Sequence, residues 1–163
     1  MNLAIGDIHG KNCWKDLISD KYENIYFVGD YFDNYEETPA VTQIHNFKEI
    51  CSLARNDSRV HLCVGNHDFH YLRGLPKSEQ YSGFQWYARF DIQEALEENI
   101  DLLNILYVIG NTIISHAGVS KTFLLNSNTT LETLNQKFKE NRHIIAFSDD
   151  CHDVYGDDPI SSP

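Results

Sequence analysis

The sequence predicts an α/β fold, and three observations carry that prediction. Apolar runs that read as strands alternate with helical stretches from the N-terminus through Val64. Each run ends in a Gly-Asp or Gly-Asn pair, where glycine lets the chain turn sharply off the sheet. The stretch between the second and third runs carries an apolar stripe at three- and four-residue steps, the period of a helix covering a sheet.

Taken in order, Leu3-Ala4-Ile5 is the first strand and leads into Gly6-Asp7-Ile8-His9-Gly10. Lys11 to Ser19 reads as a short helix, with Cys13, Trp14, Leu17 and Ile18 apolar. Ile25-Tyr26-Phe27-Val28 is the second strand, followed by Gly29-Asp30-Tyr31-Phe32-Asp33. Ala40, Val41, Ile44, Phe47, Ile50, Cys51 and Ala54 form the helical stripe, with Thr38 as N-cap and Pro39 at the first helical position. Val60 to Val64 is the third strand and precedes Gly65-Asn66-His67-Asp68.

Phe69 to Leu75 then reads as a short helix broken by Gly74-Leu75-Pro76. Phe84 to Glu98 reads as a helix whose aromatic residues, preceded by Tyr81, mostly face the core. Ile105 to Ile109 and Thr112 to Ser115 flank Gly110-Asn111, the pattern of a tight β-hairpin, and lead into His116-Ala117-Gly118. Thr130 to Lys139 is an amphipathic helix, and Asp149 to Pro163 reads as loop. The length of 163 residues suits one domain, 1–163, with a substantial core.

Thirteen basic against 24 acidic residues give a net charge of −11. Such a surface repels phosphate backbones and anionic lipid, which argues against general nucleic-acid or membrane binding. It does not oppose a phosphate ester held locally by bound cations. The four cysteines, Cys13, Cys51, Cys63 and Cys151, form no CxxC pair, and Cys51 and Cys63 are expected to be buried thiols. The first cassette leaves no room for a cleavable leader, and no apolar run approaches the ~18 residues of a membrane span. A cytoplasmic protein is expected.

Three cassettes at successive strand ends place Asp, His and Asn on the carboxyl edge of one sheet, where α/β folds bind ligands. Oxygen and imidazole ligands together suit a divalent transition metal. Two such ions, about 3.5–4 Å apart, can polarise a phosphoryl oxygen and generate a hydroxide nucleophile. Asp30, on the middle cassette, is the natural bridge between them. Asp7 and His9 can reach one ion, Asn66 offers an amide oxygen to the other, and His116 brings an imidazole from a second sheet. His67 points away from the Asn66 ligand and is the candidate general acid. Asp33 can hold the His67 ring, raise its pKa and fix its tautomer. His45, His61, His70, His143 and His152 have no comparable context. Cys151-His152-Asp153 fits no zinc spacing. Arg89 and Asn141-Arg142-His143 are candidate phosphate clamps, although solvated surface is the simpler expectation for them.

These residues resemble the calcineurin-like metallophosphoesterases. The three cassettes and Ser115-His116-Ala117-Gly118 match four family blocks in order. The likeness is closest to the phosphoprotein-phosphatase-like and diadenosine-tetraphosphatase-like branch, including small bacterial and phage enzymes. The resemblance implies a four-layer α/β-β/α sandwich and two divalent metal ions, manganese first, with iron, zinc or nickel as alternatives. Asp7, His9 and Asp30 would hold one ion; Asp30, Asn66 and His116 would hold the other; His67 would be the acid and Asp33 its partner. Asn34 and Val64 stand where that branch usually carries phosphate-clamping arginines. The closing Gly-His block is absent, so the fold is expected to be C-terminally incomplete. The expected activity is metal-dependent hydrolysis of phosphoric esters. A nucleotide phosphodiesterase or dinucleotide-polyphosphate hydrolase is the alternative within enzymes, and a non-catalytic metal- or nucleotide-binding protein the alternative outside them.

Overall fold

Three of the expected strands lie side by side with their ends level. In the computed structural model, which describes residues 1–34, 36, 38–73 and 83–142, β1 (Asn2–Ile5), β2 (Asn24–Phe27), β3 (Val60–Cys63) and β4 (Leu103–Asn104) form one parallel sheet in that order. Ile5 pairs with Phe27, Phe27 with Leu62, and Leu62 with Leu103. This register delivers the residues after β1, β2 and β3 to the same edge. Ile25, Tyr26 and Phe27 of β2 are all buried, as a parallel strand covered on both faces must be.

The helix α1 (Ala40–Asn56) turns Phe47, Ile50 and Cys51 into the core, and Trp14 meets Phe27 edge-on at 5.6 Å between ring centroids. A smaller antiparallel sheet follows, β5 (Leu106–Ile109) with β6 (Thr112–Ser115), joined by the predicted Gly110-Asn111 turn. The remaining α-helices among the described residues are α2 (Asn66–Arg73), α3 (Arg89–Glu97), α4 (Lys121–Asn126) and α5 (Leu131–Glu140). The arrangement is the α/β class read from the sequence and is consistent with the sandwich that the resemblance implied. No helix among the described residues is long and apolar enough to cross a membrane.

Several elements differ from the reading. Lys11 to Ser19 makes only a 3-10 turn at Cys13–Asp16, because Trp14 alone of its apolar residues is buried; Cys13 and Leu17 are exposed. Pro39, with φ −55° and ψ 142°, takes the N-cap position of α1 in place of Thr38. Val41 is exposed, while the polar Gln43 and Asn46 are buried. They are buried because loops cross that face: Asn46 Nδ2 bonds Asn12 Oδ1 at 2.5 Å, and Gln43 Nε2 bonds the Thr38 carbonyl at 2.6 Å.

The segment from Phe84 to Glu98 is a 3-10 turn at Trp86–Ala88 followed by α3, and of its aromatics only Phe84 packs against the core, stacked on Tyr71. Ile92, Ala95 and Leu96 are the buried face, leaving Trp86, Tyr87 and Phe90 exposed by 49%, 102% and 66%. Cys51 and Cys63 are buried as expected, and burial pushes both thiols up to about 12. Gly74-Leu75-Pro76, Tyr81, His143, Cys151-His152-Asp153 and the stretch 149–163 lie outside the described residues.

Candidate metal and catalytic centre

The loops after β1 and β2 are stitched together by main-chain bonds. The N–H of His9 donates to the Asp30 carbonyl at 2.7 Å, and the N–H of Gly10 to the Tyr31 carbonyl at 2.9 Å. To make these contacts the chain adopts a left-handed backbone at Asp7 (φ 46°), His9 (42°), Asp30 (56°) and Asp33 (63°). For residues carrying a Cβ, each such position costs roughly 1–2 kcal/mol, which the surrounding bonds must offset. The sequence pointed to glycine as the turning residue. After β1 the left-handed turn instead falls on the functional residues themselves.

Close approach explains Gly65. A Cβ there would stand 2.1 Å from Asp30 Oδ1 and 2.4 Å from the Asp30 amide nitrogen. On the other side of the contact, a Cβ on Gly29 would stand 2.3 Å from the Gly65 amide nitrogen. The buried Asp68 closes this junction. Its Oδ2 accepts the N–H groups of Asp30 at 2.8 Å and Gly65 at 2.9 Å, and its Oδ1 accepts that of Tyr31 at 2.8 Å. The motif reading gave Asp68 no role. Three main-chain donors from two loops end on this one carboxylate.

Four of the candidate residues gather around the Asp30 side chain. Asp30 Oδ2 lies 3.5 Å from His116 Nε2 and 3.9 Å from His9 Nε2. Ligand atoms of Asp7, Asp30 and His116 all lie within 4.8 Å of one another, and Asn66 Oδ1 is 2.8 Å from His116 Nε2. The far ring nitrogens fix the tautomers. His9 Nδ1 is 2.5 Å from the Phe32 carbonyl and His116 Nδ1 is 3.0 Å from the Val28 carbonyl. A carbonyl only accepts, so Nδ1 carries the hydrogen, and Nε2 of each ring is the atom turned toward Asp30. His116 Nε2, Asn66 Oδ1 and Asp30 Oδ2, all atoms able to ligate a metal, thus face one another. Their convergence could be bridged by a cation, and the oxygen and imidazole donor set fits a divalent transition metal.

Beside this cluster lies a second, more deeply buried one. His67 sits in the first turn of α2, because that helix begins at Asn66, ahead of the predicted Phe69. Its Nδ1 donates to Asp33 Oδ2 at 2.9 Å, the contact anticipated from the sequence. Burial by itself disfavours the imidazolium, but the Asp33 bond and the charges of Asp30, Asp33 and Asp7 outweigh it and hold the His67 pKa above its ordinary value. For Asp33, burial pushes toward the neutral acid, yet the bonds from His67, His70 and Tyr71 prevail and keep its carboxyl below the usual range. His70, which the sequence reading set aside, is fully buried with Nε2 2.8 Å from the same Asp33 Oδ2. The signal for it was present: His67, His70 and Tyr71 are i, i+3 and i+4 on one helix face.

The remaining candidates go elsewhere. Arg89 lies over the rings of Trp86 and Phe90, at 4.1 and 4.0 Å from their centroids. Arg142 pairs with Glu97. Asn34 donates its side-chain amide to the His9 carbonyl and receives no charge to clamp, and Val64 is fully buried. His45 is a surface residue near Glu49, and His61 is half-buried, stacked on Tyr26.

A search of the curated proteins and of the solved structures returns no match to the chain. The sequence model of one family does match, and over nearly the whole length: calcineurin-like phosphoesterase (Metallophos), residues 3–162. With that extent of match, and with the strand-end cassettes meeting at one edge of a parallel sheet, the chain belongs to the calcineurin-like phosphoesterase family.

Proposed function

We propose that this chain is a single-domain phosphatase with a dinuclear metal centre and a histidine general acid. Family membership supports metal-dependent hydrolysis of phosphoric esters as the general activity. The observation that carries the finer reading is the meeting of Asp30 Oδ2 with the Nε2 atoms of both His9 and His116. Asp7, His9 and Asp30 would hold one divalent ion, manganese first, and Asp30, Asn66 and His116 the other. The ions, when bound, would supply Lewis-acid stabilisation of charge on the phosphoryl group.

The chain's own residues do the rest. Asp30 offers one anion to two cations and so offsets their repulsion. His67, oriented through Nδ1 by Asp33, holds a proton at Nε2 for the leaving oxygen. The Asp33 bond, which does not depend on the ions, favours the protonated ring. A non-catalytic binder has no use for that pair, which favours the enzyme reading. Asn34 and Val64 supply no positive charge for a phosphoprotein, so a nucleotide phosphodiester or dinucleotide polyphosphate is the second substrate class. The test is hydrolysis of p-nitrophenyl phosphate by protein stripped with chelator and reloaded with manganese. Loss and recovery are expected, with about two manganese per chain by elemental analysis. Full turnover by metal-free protein would overturn the reading.

A further inference from the structure

We infer that His70 is a positioning residue: with Tyr71 it locks the Asp33 carboxylate in the orientation that aims the His67 ring. The inference rests on the reading of His67 as general acid.

Asp33 is fully buried, and both of its oxygens are engaged. Oδ2 accepts from His67 Nδ1 at 2.9 Å and lies 2.8 Å from His70 Nε2, while Oδ1 accepts the Tyr71 hydroxyl at 2.5 Å. The Tyr71 oxygen in turn accepts the N–H of Gln85 at 2.7 Å, which fixes the hydroxyl from outside the helix. With donors on both oxygens, the carboxylate cannot turn about its own axis without breaking bonds to charge, the stronger kind of hydrogen bond. Without His70, Oδ2 is held by His67 alone and only Tyr71 on Oδ1 still resists rotation of the carboxylate, so the His67 ring is aimed less tightly.

The His70 ring is itself confined. It meets Tyr71 edge-on at 4.4 Å and Phe84 at 4.7 Å. Burial, only partly opposed by Asp33, holds the His70 pKa below its ordinary value. The ring therefore faces Asp33 Oδ2 as a neutral imidazole and adds no second positive charge beside His67.

The test compares a good leaving group with a poor one. Kinetics with p-nitrophenyl phosphate and phenyl phosphate, in manganese-loaded protein, are measured for the wild type, His70→Phe, His70→Gln, His67→Asn and the double variant His67→Asn/His70→Phe. His70→Phe should lower kcat on phenyl phosphate about 10-fold, the scale of losing an orienting partner, while kcat on p-nitrophenyl phosphate falls about 3-fold or less. KM and metal content should hold. His70→Gln, whose amide can donate from near the Nε2 position, should recover most of the loss. In the double variant the His70 change should cost nothing further, because there is no acid left to aim.

A purely structural role predicts equal losses on both esters and a further loss in the double variant, and either result overturns the inference. So does loss of metal from His70→Phe, which would make Asp33, His67 and His70 a ligand set. If His67→Asn itself shows no leaving-group dependence, the general-acid reading fails and the inference falls with it. If His67→Asn shows the dependence and His70→Phe does not, only the inference fails. Should His70→Phe not fold, His70→Asn decides the same ratio, since its shorter amide stops short of Asp33.

Discussion

The backbone N–H of His67 donates to Oδ1 of Asp30 at 3.0 Å. The proposed acid and the proposed bridging carboxylate are thus joined through main chain, whichever way the His67 ring turns. Oδ1 is committed to that bond, which leaves Oδ2 facing His9 and His116.

Asp30→Asn should therefore be the most damaging ligand change. Its amide oxygen will keep the His67 N–H, and its NH2 group will turn toward the two imidazoles, placing a donor where cations belong. Both metals should be weakened together, with turnover down by more than about 10²-fold. Elemental analysis beside p-nitrophenyl phosphate kinetics checks this. A variant that keeps one ion at full occupancy would show that Asp30 is not shared.

His67→Asn should separate chemistry from binding. Metal content stays near that of the wild type, while kcat falls roughly 10²–10⁴-fold, the usual worth of a general acid. The fall is largest on esters with poor leaving groups. Loss of a metal from this variant would assign His67 to the ligands instead.

Two glycine substitutions should differ sharply. Gly65→Ala drives a Cβ to 2.1 Å from Asp30 Oδ1 and 2.4 Å from the Asp30 amide nitrogen, a backbone atom that cannot swing aside. It should cost about 3 kcal/mol or more and reduce metal binding as Asp30 is displaced. Gly110→Ala meets nothing within 4 Å and pays only for its φ of +57°. About 1 kcal/mol is expected there, with metal binding intact. Urea unfolding measures both, and equal costs would refute the close-packed junction.

His61 gives the fold a pH dependence away from the site. Its ring stacks on Tyr26 at 4.8 Å and tilts against Tyr107 at 5.0 Å, and burial lowers its pKa. The folded state therefore prefers the neutral ring. This stabilisation is complete above the ordinary imidazole pKa of about 6.5 and is lost as pH falls through the lower, folded value. His61→Phe keeps the aromatic stack and removes the proton. Its stability should fall less than that of the wild type between pH 7.5 and 5.5, as read by urea midpoints. An unchanged slope would show that His61 titrates alike in both states.

Much of the sheet was legible, because strands such as Ile25 to Val28 are apolar throughout and end in Gly-polar pairs. What escaped was set by tertiary partners. β4 is two residues long, too short to leave a pattern. Gln43 and Asn46 lie on the buried side of α1 because loop carbonyls and amides meet them there, and no periodicity records that. Trp86, Tyr87 and Phe90 look like core by type, yet Ile92, Ala95 and Leu96 take the inner face. The metal-site candidates were readable because each follows a strand end. His70 was passed over because it follows no strand end, and only its i+3 step from His67 along α2 marked it.

The left-handed backbones at Asp7, His9, Asp30 and Asp33 set two kinds of selection against each other. A library screened for heat tolerance alone should drift toward glycine or asparagine at these positions, where a backbone without a Cβ, or with a short polar side chain, sits most easily. Screened for turnover, the same library should return the original aspartates and histidine. The cheapest route to a sturdier molecule therefore leads through the residues it can least spare.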